Sequence, residues 1–174
     1  MRLCKFFSSI FLIGFCLNVA LAGELKVVVK LTDIQAKTTV EQAGDDVYFN
    51  ITQYSSLGNS SQSRVPIYPA HWLSQQLSNV KEVALWEGIL KPSESVKLVL
   101  ALSEQDPKPW DTDYLIGAVT LTIKNKKGRL EHTWDIPVFE EKNEVEMLKN
   151  DSPKRYVFKG GRSRYDVAFR VEQR

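Results

Sequence analysis

Between Ser103 and Gly117 the chain reads SEQDPKPWDTDYLIG, and four carboxylates, Glu104, Asp106, Asp111 and Asp113, fall within 10 residues. Carboxylates crowded into one loop repel each other unless a hard cation gathers them. Ca²⁺ does this with roughly 6–8 oxygen ligands in irregular geometry. A second acidic group, Glu41, Asp45 and Asp46, precedes the apolar segment from Val47 to Tyr54. If both groups lie at the same end of the fold, their carboxylates would converge. The competing reading is a set of solvated turn acids, because Asp is a common turn residue in its own right.

Other chemistry is poorly represented. No G-x-S-x-G elbow, H-E-x-x-H pair or Walker loop occurs. Of the histidines, His132 lies in register with Leu130 and Trp134 and reads as a strand residue. His71 sits beside Trp72 at the start of a short helical pattern. A hydrolase using Glu104 and Asp111 as paired carboxylates is formally allowed. Both cysteines, Cys4 and Cys16, fall in the first 22 residues, so beyond them neither thiolate catalysis nor cysteine-ligated zinc is available.

Those first 22 residues read as an address. Arg2 and Lys5 open the segment, an apolar stretch runs from Phe6 to about Val19, and Ala20-Leu21-Ala22 is an A-x-A cleavage signal. The expectation is a secretory signal peptide over residues 1–22, cleaved near Ala22, and a single domain over 23–174 that is secreted or periplasmic. The alternative is a membrane anchor, for which the apolar run is short. Removing Arg2 and Lys5 from the 23 basic residues leaves 21 against 21 acidic ones. A neutral chain is a poor general nucleic-acid binder, and no nucleic-acid partner is expected.

The elements that must position the acids follow from hydrophobic period. Leu25, Val27, Val29 and Leu31 alternate. So do Val47, Phe49 and Ile51, then Val96, Leu98, Leu100 and Leu102, then Leu115, Val119, Leu121 and Ile123, then Tyr165, Val167, Phe169 and Val171. Period two with one wet face reads as antiparallel strands. Turn signals at Gly44-Asp45, Lys91-Pro92-Ser93, Asp106-Pro107, Lys126-Lys127-Gly128 and Gly160-Gly161 separate them. The prediction is an all-β fold, an antiparallel β-sandwich of about eight strands. Two short helices are expected in connections, at Pro69 to Val80 and Glu140 to Asn150, and a flexible loop at Ser55 to Ser63.

Several of these segments resemble the C-two domain, the calcium- and lipid-binding β-sandwich of protein kinase C. Asp45-Asp46-Val47-Tyr48-Phe49 is similar to its Ser-Asp-Pro-Tyr-Val strand start, with Val in place of Pro. Leu85-Trp86-Glu87-Gly88 is similar to its Val-Trp-Asn-Glu segment. Val96 to Gly117 resembles its most diagnostic stretch: an apolar strand, two acids one residue apart (here Glu104 and Asp106), a loop, and an Asp-x-Ile-Gly strand opening, lengthened here by one residue from Asp113 to Gly117. The resemblance covers roughly residues 24–138. It implies a Ca²⁺ site ligated by Asp46, Glu104, Asp106 and Asp113, with Glu41 and Asp111 as further candidates. It also implies contact with membrane lipid through exposed apolar loop tips, a place that Trp110 would fill unless it folds back over its own loop.

The expected function is therefore non-enzymatic binding. One version is calcium-dependent recognition of membrane lipid or another anionic ligand through the acidic loops; the other is a metal-free protein–protein interaction module. The basic tail, with Lys154, Arg155, Lys159, Arg162, Arg164, Arg170 and Arg174, reads either as an anionic-lipid patch or as a solvated strand face.

Overall fold

Val, Ile, Leu, Phe and Tyr at every second position suit a pleated surface with one buried side, and the chain adopts that state almost throughout. The computed structural model describes residues 23–105, 113–138 and 144–174. The strands are β1 (Leu25–Thr38), β2 (Asp46–Ser55), β3 (Ser60–Val65), β4 (Trp72–Leu73), β5 (Val83–Leu90), β6 (Ser95–Glu104), β7 (Tyr114–Lys126), β8 (Arg129–Asp135), β9 (Glu144–Lys149), β10 (Lys154–Gly160) and β11 (Ser163–Gln173). One 3₁₀ helix, Ser74–Asn79, lies between β4 and β5.

These strands make two antiparallel sheets, as an all-β sandwich requires. The first has the order β5-β1-β11-β10-β9. The second has the order β3-β2-β6-β7-β8, with β4 also paired to β2. The predicted stripes form the layer between them: Leu25, Val27, Val29 and Leu31 of β1, Val47, Phe49 and Ile51 of β2, and Val96, Leu98, Leu100 and Leu102 of β6 are all buried. Aromatic rings bridge the sheets, with Phe49 edge-on to Phe169 at 5.7 Å and Trp134 stacked on Phe169 at 5.5 Å. No cysteine lies in the domain, so this core carries its stability without a disulfide.

Four expectations change. The segment at Glu140 to Asn150, read as helical, holds strand β9, in which Val145 and Met147 pack at a spacing of two against β10. Its residues 140–143 lie outside the described residues. Part of the Ser55 to Ser63 loop is β3, a polar edge strand. The helix at Pro69 to Val80 shrinks to six residues of 3₁₀ helix behind β4. In β7 a bulge lies between the Leu102↔Gly117 and Ser103↔Leu115 pairs, so Ile116 rather than Leu115 is the fully buried residue there.

Four residues of the basic tail, Arg155, Lys159, Arg170 and Arg174, form ion pairs on the five-stranded sheet. Lys30 and Arg170 each pair with Glu82 and Glu172, Arg174 with Glu87, Arg155 with Asp33, and Lys159 with Glu144 and Glu146 of the edge strand β9.

Candidate functional site

The described members of the two acidic groups, Glu41, Asp45, Asp46, Glu104 and Asp113, lie at the same end. Strand β2 begins beside the end of β6, with Val47 opposite Glu104, and Gln105 N donates to Asp46 O at 2.7 Å. Two described connections meet there, residues 39–45 and residues 66–71, beside Gln105. The β10–β11 hairpin closes the same end, because Thr38 Oγ1 donates to Arg162 O at 2.8 Å.

The side chains diverge from this meeting point. Asp45 is fully buried, and its carboxylate accepts four hydrogen bonds. Oδ1 takes the backbone N–H groups of Val40 (2.9 Å) and Glu41 (3.2 Å). Oδ2 takes the hydroxyls of Ser163 (2.6 Å) and Tyr165 (2.6 Å). Its own N–H donates to Ser74 Oγ at 2.9 Å. Asp45 is therefore a clamp between the β1–β2 connection and β11. Glu104 continues the inward stripe of β6 and is 1% exposed. Its carboxylate hydrogen-bonds Tyr114, whose hydroxyl also lies 3.4 Å from Ser163 Oγ. Asp45, Ser163, Tyr165, Tyr114 and Glu104 thus form one polar network across the end of the core.

The remaining acids face outward. Asp46 Oδ2 is 3.3 Å from His71 Nε2. Asp113 accepts the Tyr48 hydroxyl at 2.7 Å. Glu41 is exposed, and its main chain, not its carboxylate, is what the clamp holds. Asp106, Trp110 and Asp111 lie outside the described residues. Among the described residues no three His, Cys, Asp or Glu side chains are grouped to hold an ion. The placed acids Asp46, Glu104, Asp113 and Glu41 do not form a calcium cradle by themselves: their side chains point to different partners, where roughly six oxygens around one centre are needed.

The residues that pattern reading missed are those of the 66–71 connection. Ile67 is 82% exposed and Tyr68 67% exposed. Beneath them Arg64 stacks its guanidinium 3.6 Å above the Tyr48 ring and lies 5.4 Å from the Tyr68 ring. The same guanidinium donates to Ala70 O at 3.0 Å and to Gln105 Oε1, tying this loop to the acidic segment. The available signal was Pro66-Ile67-Tyr68-Pro69, two large apolar residues between prolines in a polar stretch.

The network has a pH signature. Burial, then the hydrogen bond to Asp45, raises the Tyr165 hydroxyl well above its ordinary value. Burial, then Glu104, does the same for Tyr114, and burial pushes Tyr156 up to about 12. A pKa raised by folding means the native state holds its proton more tightly than the unfolded chain. The associated stability is complete below about pH 10, the unfolded tyrosine value, and drains away above it. The melting temperature should therefore be steady from pH 8 to about 9.5 and fall steeply beyond pH 10. Tyr165→Phe should flatten that fall. A wild-type melting curve unchanged to pH 11 would contradict the assignment.

No protein-family model matches the chain, and no curated protein sequence matches it.

Proposed function

We propose that the chain is a non-enzymatic, metal-free binding module that engages a partner protein through the 66–71 connection at the acidic end of the sandwich. The observation that carries this reading is the Ile67-Tyr68 tip, two large side chains held in water by a loop that Arg64 braces from below. Exposed apolar side chains on a fixed loop are the form that binding anchors take. The acids support it indirectly: Asp45 and Glu104 are buried and committed to the internal network, which weighs against a paired-carboxylate hydrolase. Export through residues 1–22 belongs to the same proposal.

A second reading keeps calcium. Its support is the hydrogen bond from Gln105 N to Asp46 O, which ties the residue after Glu104 to the start of β2. Thermal unfolding in EDTA and across a calcium series separates the two, since a ligand of the native state at a hundred times its Kd adds about 2.7 kcal/mol. The metal-free module predicts one melting temperature throughout; a midpoint that climbs with calcium but not magnesium favours the second reading. A photocrosslinker at position 68 should then give one discrete protein adduct in the cells of origin, and Ile67→Ser should abolish it with no change in melting. Lipid adducts alone, or adducts insensitive to Ile67→Ser, would reject the protein-partner proposal.

A further inference from the structure

The opposite end of the sandwich is basic. The turns at residues 56–59, 91–94 and 127–128 meet there, and Asn125 joins them. Its Nδ2 donates to Leu90 O and Gly23 O, both at 2.9 Å, and its Oδ1 accepts the N–H of Gly128 at 2.7 Å. Its main chain bonds Ser93 and Glu94, each at 2.9 Å, while Ser56 N donates to Ser95 O at 2.9 Å. On this frame stand Lys91, Lys97, Lys124, Lys126, Lys127 and Arg129, all exposed. Three acids stand at this end among the described residues, and one of them, Glu24, is exposed beside Gly23. Glu94 accepts the Lys91 N–H at 2.8 Å, and Glu131 pairs with Lys126 and Arg129.

The strand register orders these charges. Tyr54, Lys97 and Thr122 form one row across β2, β6 and β7, and Ser95, Lys124 and Glu131 form the next row across β6, β7 and β8. Lys124, Lys126 and Lys127, with Ser93 and Ser95, line an open cleft of about 430 Å³. Leu57 at the neighbouring turn is 67% exposed, and Ile89 and Tyr54 at this end are also exposed. The chain enters the domain here, at Gly23, directly after the apolar run that starts at Phe6.

We propose that this basic pole rests on an anionic membrane surface, with the lysines toward the headgroups, Leu57 at the interface, and the acidic end turned away. Two arguments favour a membrane over a single bound anion. The cations are exposed lysines spread over three turns, which suit a diffuse negative surface better than one fixed anion. The charge is also accompanied by large apolar side chains, which a headgroup layer accepts and a soluble anion does not. The acidic end would be repelled by that surface and would stay free for the partner proposed above.

The test is flotation of the chain from Gly23 onward, which holds every described strand and all of the described core, with phosphatidylcholine vesicles that contain or lack phosphatidylglycerol. Binding should require phosphatidylglycerol and weaken as salt shortens the Debye length. Replacing Lys124, Lys126 and Lys127 together with Gln should lower partitioning by roughly a hundredfold, about fivefold per lysine. These side chains are exposed, so the melting temperature should not move, and Ile67→Ser should bind vesicles like wild type. No binding to the anionic vesicles would overturn the proposal. So would equal binding to neutral vesicles, or loss on Ile67→Ser with the triple variant unaffected. Dextran sulfate that binds as tightly per charge as the vesicles would make the pole a polyanion site, and would equally reject the membrane.

Discussion

Asp45→Ala is expected to lower the unfolding free energy by roughly 3–5 kcal/mol. One substitution removes the acceptor of four donors: the Val40 and Glu41 amides and the Ser163 and Tyr165 hydroxyls. Tyr165 is fully buried, and its hydroxyl loses the carboxylate it donates to. A buried polar group left unsatisfied costs about 1–3 kcal/mol, and here several are stranded at once. Asp45→Asn should fall between, because one amide oxygen still accepts while the amide nitrogen meets hydroxyls that must turn round. Asp46→Ala, one residue along, should cost about 1 kcal/mol or less, since its pair with His71 lies at the surface. Urea unfolding with an unchanged m-value is the measurement. An Asp45→Ala protein within 1 kcal/mol of wild type would mean that the clamp stabilises nothing.

Why these two neighbouring aspartates differ so much could not be read from the sequence. Their common end of the fold could: each acidic group adjoins an apolar stripe, and the stripes of β2 and β6 are paired in register. The destination of each carboxylate depends on what β11 brings opposite it, and Ser163 and Tyr165 lie more than a hundred residues away. Glu104 shows the limit from the other side. It continues the alternation of Leu100 and Leu102, so its position in the core was legible as pattern, yet its residue type argued for a solvated ligand. The long stripes were recovered because a buried face admits no slip of one residue. The edge strands β3 and β9 were not, whereas the edge strand β8 showed its alternation at Leu130, His132 and Trp134. Strand β9 has one paired neighbour and charges at half of its positions, which protect an edge and also imitate a solvated helix. The β7 bulge escaped because a strict period-two reading has no place for an extra residue.

The bulge makes the second large prediction. Strands β10 and β7 belong to different sheets, and they pack closely at Gly160. A methyl group there would lie 2.6 Å from Ile116 Cα and 2.8 Å from the carbonyl oxygens of Ile116 and Leu115. All three are main-chain atoms, so no side chain can rotate away, and the sheets themselves must part. Gly160→Ala should therefore cost roughly 3 kcal/mol, at the upper end for one added methyl. Gly161→Ala is the control. It has a positive φ of +59° but open space around it, so the left-handed backbone alone should cost about 1–2 kcal/mol. The order matters, because a conformational view of glycine would rank Gly161 first. Parting the sheets at Gly160 would also draw Ser163 and Tyr165 away from Asp45, since all lie on the same hairpin end. Gly160→Ala and Asp45→Ala should then be strongly sub-additive in a double-mutant cycle. Additivity within about 0.5 kcal/mol would show instead that the close approach and the carboxylate clamp are independent features of this end.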